Sequence, residues 1–108
     1  MTRPRTKVLA TGKYIPRKVF SNDDMAELVE TSDEWITERT GIKRRHISNT
    51  EGGEFPSDMA KEATDQALAT AGLEPNDIDM IVFASVTPDY KLPNTSSVLQ
   101  TKLRSEER

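Results

Sequence analysis

The sequence contains no cysteine. That excludes disulfides, thiolate metal sites and a cysteine nucleophile together. It has a single histidine, His46, and no second histidine or cysteine to complete a metal set. No serine lies in a recognisable nucleophile motif, so His46 reads as structural and no metal site is expected. A glycine-rich phosphate loop is also lacking, because Gly52-Gly53 has no strand–loop–helix context. Long apolar runs are missing as well: nothing approaches the roughly 20 residues needed to span a bilayer. The opening MTRPRTKVLATGKYIP is basic but has no sustained apolar run, so it does not read as a secretory signal. There is no basic excess either, since 15 Lys and Arg stand against 18 Asp and Glu, a formal charge of -3. Nucleic-acid binding is therefore not expected. A soluble cytoplasmic protein with no membrane partner is the expectation.

Apolar residues are scarce too, at 34% against 31% charged residues. The 108 residues suit one small domain, but a short chain buries a modest share of its surface. A core completed by a partner or by further sequence is expected.

Local signals divide the chain. Lys7 to Gly12 (KVLATG) reads as a first strand, and Tyr14-Ile15-Pro16 as a loop, since the residue before proline is pushed toward extended geometry. Ser21-Asn22-Asp23-Asp24 offers helix-start chemistry, with Met25, Ala26, Leu28 and Val29 on the apolar side. A second helix is expected from Thr31 or Ser32, with Thr31 and Glu34 at capping-box spacing and Gly41 as its stop. Glu51 to Glu54 reads as a surface turn. The third helix is expected between a capping Ser57 and Gly72. Met59, Ala60, Ala63, Ala67, Leu68 and Ala71 give it one apolar stripe, and the alanines allow close approach to a neighbour. Met80 to Ala84 (MIVFA) reads as a buried parallel strand, with Asp77 and Asp79 as turn residues before it. Thr87 to Tyr90 forms a loop, and a last helix is expected from about Thr95 to Leu103. The order β–α–α–(β)–α–β–α indicates an α/β protein.

Trp35 and Arg39 lie four apart, hence on one helix face. An indole beside a guanidinium suits stacking on an aromatic ring and holding phosphate oxygens. A half-buried core tryptophan with an arginine packed over it fits the spacing as well. The run Lys43-Arg44-Arg45 reads as a solvated strand face. Asp23, Asp24, Asp33 and Glu34 sit at helix starts, where capping explains them, and no carboxylate pair argues for acid–base work.

The string TSDEWITERTGI (Thr31–Ile42), followed by KRRHI, resembles the N-terminal signature of β-ketoacyl-acyl-carrier-protein synthase III. TKVLATGKYIP and SNDDMAELVETSDEWI support the likeness. So does DMAKEATDQALATAGLEPNDIDMIVFASVTPDYKLPNTSSVLQTKL, and the match runs over roughly residues 5 to 103. The resemblance implies a partial thiolase-like α/β fold, the N-terminal part of the first βαβαβ-type half. Residues 1–103 would form that domain part, with 104–108 a polar tail outside the family pattern. It further implies an acyltransferase of fatty-acid initiation that works as a homodimer and condenses acyl-coenzyme A with malonyl-acyl-carrier protein. Coenzyme A would be a substrate, with no retained cofactor.

By the same resemblance Trp35 stacks on the adenine, Arg39 meets the phosphates, and Thr31 and Thr40 line the coenzyme A entrance. Leu92 lies in the loop that reaches the partner's acyl pocket. The family's catalytic cysteine, histidine and asparagine have no match here, so the chain is expected to be an inactive N-terminal fragment. A non-catalytic coenzyme A-binding or dimer-partner module, or part of a polyketide-type condensing enzyme, are the alternatives.

Overall fold

The computed structural model describes residues 3–103, so the expected tail at 104–108 lies outside the described residues. The elements are β1 (Lys18–Ser21), α1 (Asn22–Leu28), α2 (Asp33–Thr40), β2 (Arg44–Ile47), α3 (Pro56–Ala71), a 3-10 turn (Pro75–Asp77) and α4 (Thr95–Leu103). They fall into two compact units. Ile15–Glu54 forms one, and the described residues before and after it form the other.

In the Ile15–Glu54 unit, β1 and β2 pair antiparallel with Lys18 opposite Ile47 and Ser21 opposite Arg44. The sequence reading placed no strand at Lys18–Ser21. The segment is short and half polar, and only its partner makes it a strand. Ser21 then caps α1: its hydroxyl accepts from the Asp24 N–H while the Asp24 carboxylate accepts from the Ser21 N–H, a reciprocal capping box. α2 is capped by Ser32, whose hydroxyl accepts from the Trp35 N–H at 3.2 Å, and not by Thr31. Gly41 closes α2 with φ 72°, a left-handed position that glycine takes without strain. The expected basic strand face is present as β2. Arg45 is half-buried, however, and bonds Asn22 and the Ser21 carbonyl. The His46 ring is tied to the backbone, its Nδ1–H donating to the Pro16 carbonyl at 2.7 Å. Glu51 to Glu54 is a turn, yet Glu54 is buried and accepts from the N–H groups of Arg17 and Asn49.

In the other unit, α3 packs against α4, and among the described residues the buried apolar side chains are Leu99 and Leu103 of α4. The alanine stripe of α3 allows the close approach expected of it. Gly12 lies against the helix backbone at Ala63 and Ala67, and the Lys13 N–H donates to Gln66. α3 begins at Pro56, with Phe55 as its N-cap residue, so Ser57 is the second helical residue and not the cap. Gly72 ends the helix at φ 71°. Asp77 caps the 3-10 turn through the Glu74 N–H.

Two expected strands are corrected. Neither Lys7–Gly12 nor Met80–Ala84 is hydrogen-bonded into a ladder. A strand exists only with a neighbour to bond, and among the described residues neither segment has one. Several of their side chains are exposed instead, Val8 at 76%, Met80 at 78% and Val82 at 85%. An apolar sequence of modest content leaves these surfaces uncovered.

Candidate functional site

The candidate residues of the Ile15–Glu54 unit gather on α2. Ser32 caps its start, which fixes where the first turn begins and therefore which way Trp35 faces. Trp35 is 54% exposed, so it is not a core tryptophan. The Arg39 guanidinium lies over its ring with Cζ 5.2 Å from the ring centroid, within cation–π range. Trp35 and Arg39 therefore share one face, as the four-residue spacing requires, and that face is exposed with the arginine packed over the ring. Trp35 also lines a concavity of about 330 Å³ together with Glu30, Thr31 and Ser32.

Thr31 and Thr40 behave differently. The Thr31 hydroxyl is buried at the atom level and meets no hydrogen-bond partner, a costly state unless a ligand or water satisfies it. The Thr40 hydroxyl donates to the Ile36 carbonyl at 2.7 Å and accepts from the Ile42 N–H at 3.0 Å. It thus finishes the helix and does not line the concavity. Leu92 belongs to the other unit, on the loop before α4, and is 86% exposed. Among the described residues, no cluster of His, Asp and Glu side chains could hold a metal ion, and no helix is long and apolar enough to cross a membrane.

The face of α2 opposite Trp35 holds residues that the sequence reading had treated as caps. The Asn22 side-chain amide donates to Asp33 and to the Ile42 carbonyl, both at 2.8 Å. Its carbonyl oxygen accepts from Arg45 at 2.6 Å. A polar residue at a helix start reads as a cap in sequence, and nothing local reveals that its partners lie 11 to 23 residues away.

Three carboxylates are held below the ordinary 3.8: Asp58 by its bond from Lys102, Asp33 by its bond from Asn22, and Asp24 by the Ser21 N–H. A group whose folded pKa is depressed stabilises the fold above its unfolded pKa, and that stability is lost as pH falls through the folded value. The melting temperature is accordingly expected to stay level from neutral pH down to about pH 5 and to fall below about pH 4. A melting temperature that holds or rises on acidification to about pH 3 contradicts this assignment.

The chain shares its fold with thiolase-like condensing enzymes. It superposes on a crystal structure of 3-oxoacyl-[acyl-carrier-protein] synthase III from Aquifex aeolicus with a TM-score of 0.87 and 41% identity, covering 95% of this chain and 32% of that one. It also superposes on the priming β-ketosynthase of the R1128 polyketide pathway with a TM-score of 0.85 and 32% identity, covering 93% and 29%. In sequence it is 53% identical over 97 residues to a β-ketoacyl-[acyl-carrier-protein] synthase III of Neisseria gonorrhoeae, covering 90% of this chain and 30% of that protein. The corresponding protein of Sulfurimonas denitrificans is 50% identical over 96 residues, covering 88% and 28%. No protein-family model matches the chain. Over about nine-tenths of its length the chain is similar, at about 50% identity, to part of β-ketoacyl-acyl-carrier-protein synthase III proteins. It spans somewhat under a third of the length of the relatives it matches.

Proposed function

We propose that this chain carries the coenzyme A entrance of a synthase III-type acyltransferase. The observation that carries the reading is the exposed Trp35 ring with the Arg39 guanidinium stacked on it. An adenine can stack on the free indole surface, and the guanidinium can take phosphate oxygens. Thr31 lines the same concavity as the ring, and its buried, unpartnered hydroxyl would have to turn outward to supply a further polar contact. Thr40 supports the site indirectly, by fixing the end of the helix that carries both residues.

In a complete synthase of this family, an acyl group from acyl-coenzyme A condenses with malonyl-acyl-carrier protein, and carbon dioxide leaves. The acyl-coenzyme A thioester is the substrate and free coenzyme A leaves when its acyl group is transferred, with no retained cofactor. The acyl group would be carried on a cysteine thiolate. This sequence contains no cysteine, so the 108-residue chain is expected to show no condensing activity. A cytoplasmic homodimer is the setting that fits this role, and the strongly exposed Leu92 supports packing of its loop against a partner. A second reading keeps the platform and changes the acyl substrate, as the likeness to the polyketide priming enzyme suggests.

Calorimetric titration with coenzyme A tests the platform. Trp35→Ala is expected to weaken binding about tenfold, in line with the usual worth of base stacking. Arg39→Ala should weaken coenzyme A but leave adenosine unchanged, because only the former carries phosphates. Absence of binding to the unmodified chain at millimolar coenzyme A, or variants that bind coenzyme A as tightly as the unmodified chain, would overturn the reading.

A further inference from the structure

We infer that Asn22 is the positioning residue for the Trp35–Arg39 platform, setting the rotation of α2 from the face opposite the ligand. This inference rests on the reading of that platform as a coenzyme A site. At 100° per residue, Asp33 and Thr37 share one side of α2, and Trp35 and Arg39 lie about 200° round from them. Asn22 grips the first side. It is 1% exposed, and its amide donates to Asp33 Oδ1 and to the Ile42 carbonyl, each at 2.8 Å. Thr37 Oγ1 is 3.3 Å from the same nitrogen and itself donates to Asp33 Oδ1 at 3.2 Å. One side chain thereby holds the first turn of α2, its middle, and the residue after its Gly41 stop.

The other end of the amide is fixed to β2. Asn22 Oδ1 accepts from Arg45 of β2 at 2.6 Å, and the Asn22 backbone N–H donates to the Lys43 carbonyl at 3.2 Å. The position needs a group that donates to a carboxylate and a carbonyl while accepting from a guanidinium. Among side chains of this size only a primary amide does both. A carboxylate would keep the Arg45 contact but set acceptor against acceptor at Asp33 and Ile42. An alanine would leave Arg45, Asp33 and the Ile42 carbonyl without these partners around a buried position. Either change frees α2 to rotate, and rotation swings Trp35 and Arg39 together.

The test uses the full chain and coenzyme A, with Trp35 as a built-in reporter because it is the sole tryptophan. Asn22→Asp is expected to weaken coenzyme A about tenfold. It should also change the near-ultraviolet circular dichroism of Trp35 without ligand, while far-ultraviolet helix content is kept. Exchanging the pair, Asn22→Asp with Asp33→Asn, restores a donor opposite an acceptor and should recover most of the affinity. A purely structural role would lower the melting temperature and leave the folded fraction's affinity intact. Should Asn22→Asp not fold, Asn22→Gln keeps the amide but displaces it by one methylene, and should give a smaller loss of the same kind. Unchanged affinity and an unchanged Trp35 spectrum in a folded Asn22 variant overturn the inference and leave the platform reading standing. If the unmodified chain takes up no coenzyme A, the platform reading fails, and the ligand-free Trp35 spectrum still decides whether Asn22 orients the ring.

Discussion

Gly12→Ala is expected to destabilise the chain by about 3 kcal/mol or more, beyond the usual cost of an added methylene. A Cβ at Gly12 would lie 1.8 Å from the Ala63 carbonyl oxygen, 2.8 Å from its carbon and 3.0 Å from the Ala67 nitrogen. All three are backbone atoms in the interior of α3, so no side chain can swing away to make room. Either the 7–12 segment withdraws from the helix, losing the Lys13 bond to Gln66, or the helix shifts against Leu99 and Leu103. Gly41 supplies the comparison. An alanine there meets nothing within 4 Å but must hold φ 72°, which costs about 1 kcal/mol. Thermal unfolding followed by circular dichroism should rank the two clearly, with a drop of about 12 °C or more for Gly12→Ala. Equal melting temperatures for the two variants would show that Gly12 does not sit against α3.

The difference between those glycines also shows which parts of the fold could be read from sequence. Gly41 and Gly72 were legible as helix stops because a left-handed C-terminus is a local event. The helix start at Ser21 to Asp24 and the bounds of α4 at Thr95–Leu103 were legible for the same reason. Strands were not, because a strand is defined by its neighbour. KVFS at Lys18–Ser21 is short and only half apolar and still pairs with β2, whereas MIVFA has the right composition and no ladder. Cap positions slipped where two hydroxyls compete, as at Thr31 and Ser32. Sequence spacing cannot say which of them turns its oxygen toward the helix.

The site divides along the same line. Trp35 and Arg39 were legible because a four-residue spacing on a helix enforces a shared face. That the ring stands in solvent and not in a core depends on what packs around α2, which no window of sequence contains. Asn22 was opaque for the opposite reason: its neighbours suggest a cap, and its actual partners are Asp33, Ile42 and Arg45. Thr40 looked like a candidate through its place in a motif, and its hydroxyl turns out to be occupied by backbone.

Asp89→Ala is expected to cost about 3 kcal/mol, the scale of opening a buried charged network. Phe55, at the N-cap of α3, has no side chain that can accept a hydrogen bond there, and the helix is capped from a distance. The Asp89 carboxylate, with its side chain 3% exposed, accepts from the Ser57 backbone N–H at 2.9 Å and from the Ser57 hydroxyl. It also faces the N-terminal end of the helix dipole, where negative charge is favoured. Lys102 of α4 completes the arrangement, donating to the Ser57 hydroxyl and to Asp58 at 2.6 Å, with Asp89 3.9 Å away. Removing the carboxylate leaves the Ser57 N–H buried without an acceptor and takes one of two acids from Lys102. Asp89→Asn should cost less, because its carbonyl still accepts from the Ser57 N–H while its NH2 competes with Lys102 for the hydroxyl oxygen. The ranking Ala worse than Asn, read by thermal unfolding, separates a specific cap from general burial. The same variants should speed hydrogen exchange in the loop carrying Leu92, since the Asp89 N–H bond to Thr95 and the tie to α3 fix that loop at one point. An Asp89→Ala chain that melts within a degree of its parent, or loses its loop protection no faster, would show that α3 does not need the distant cap.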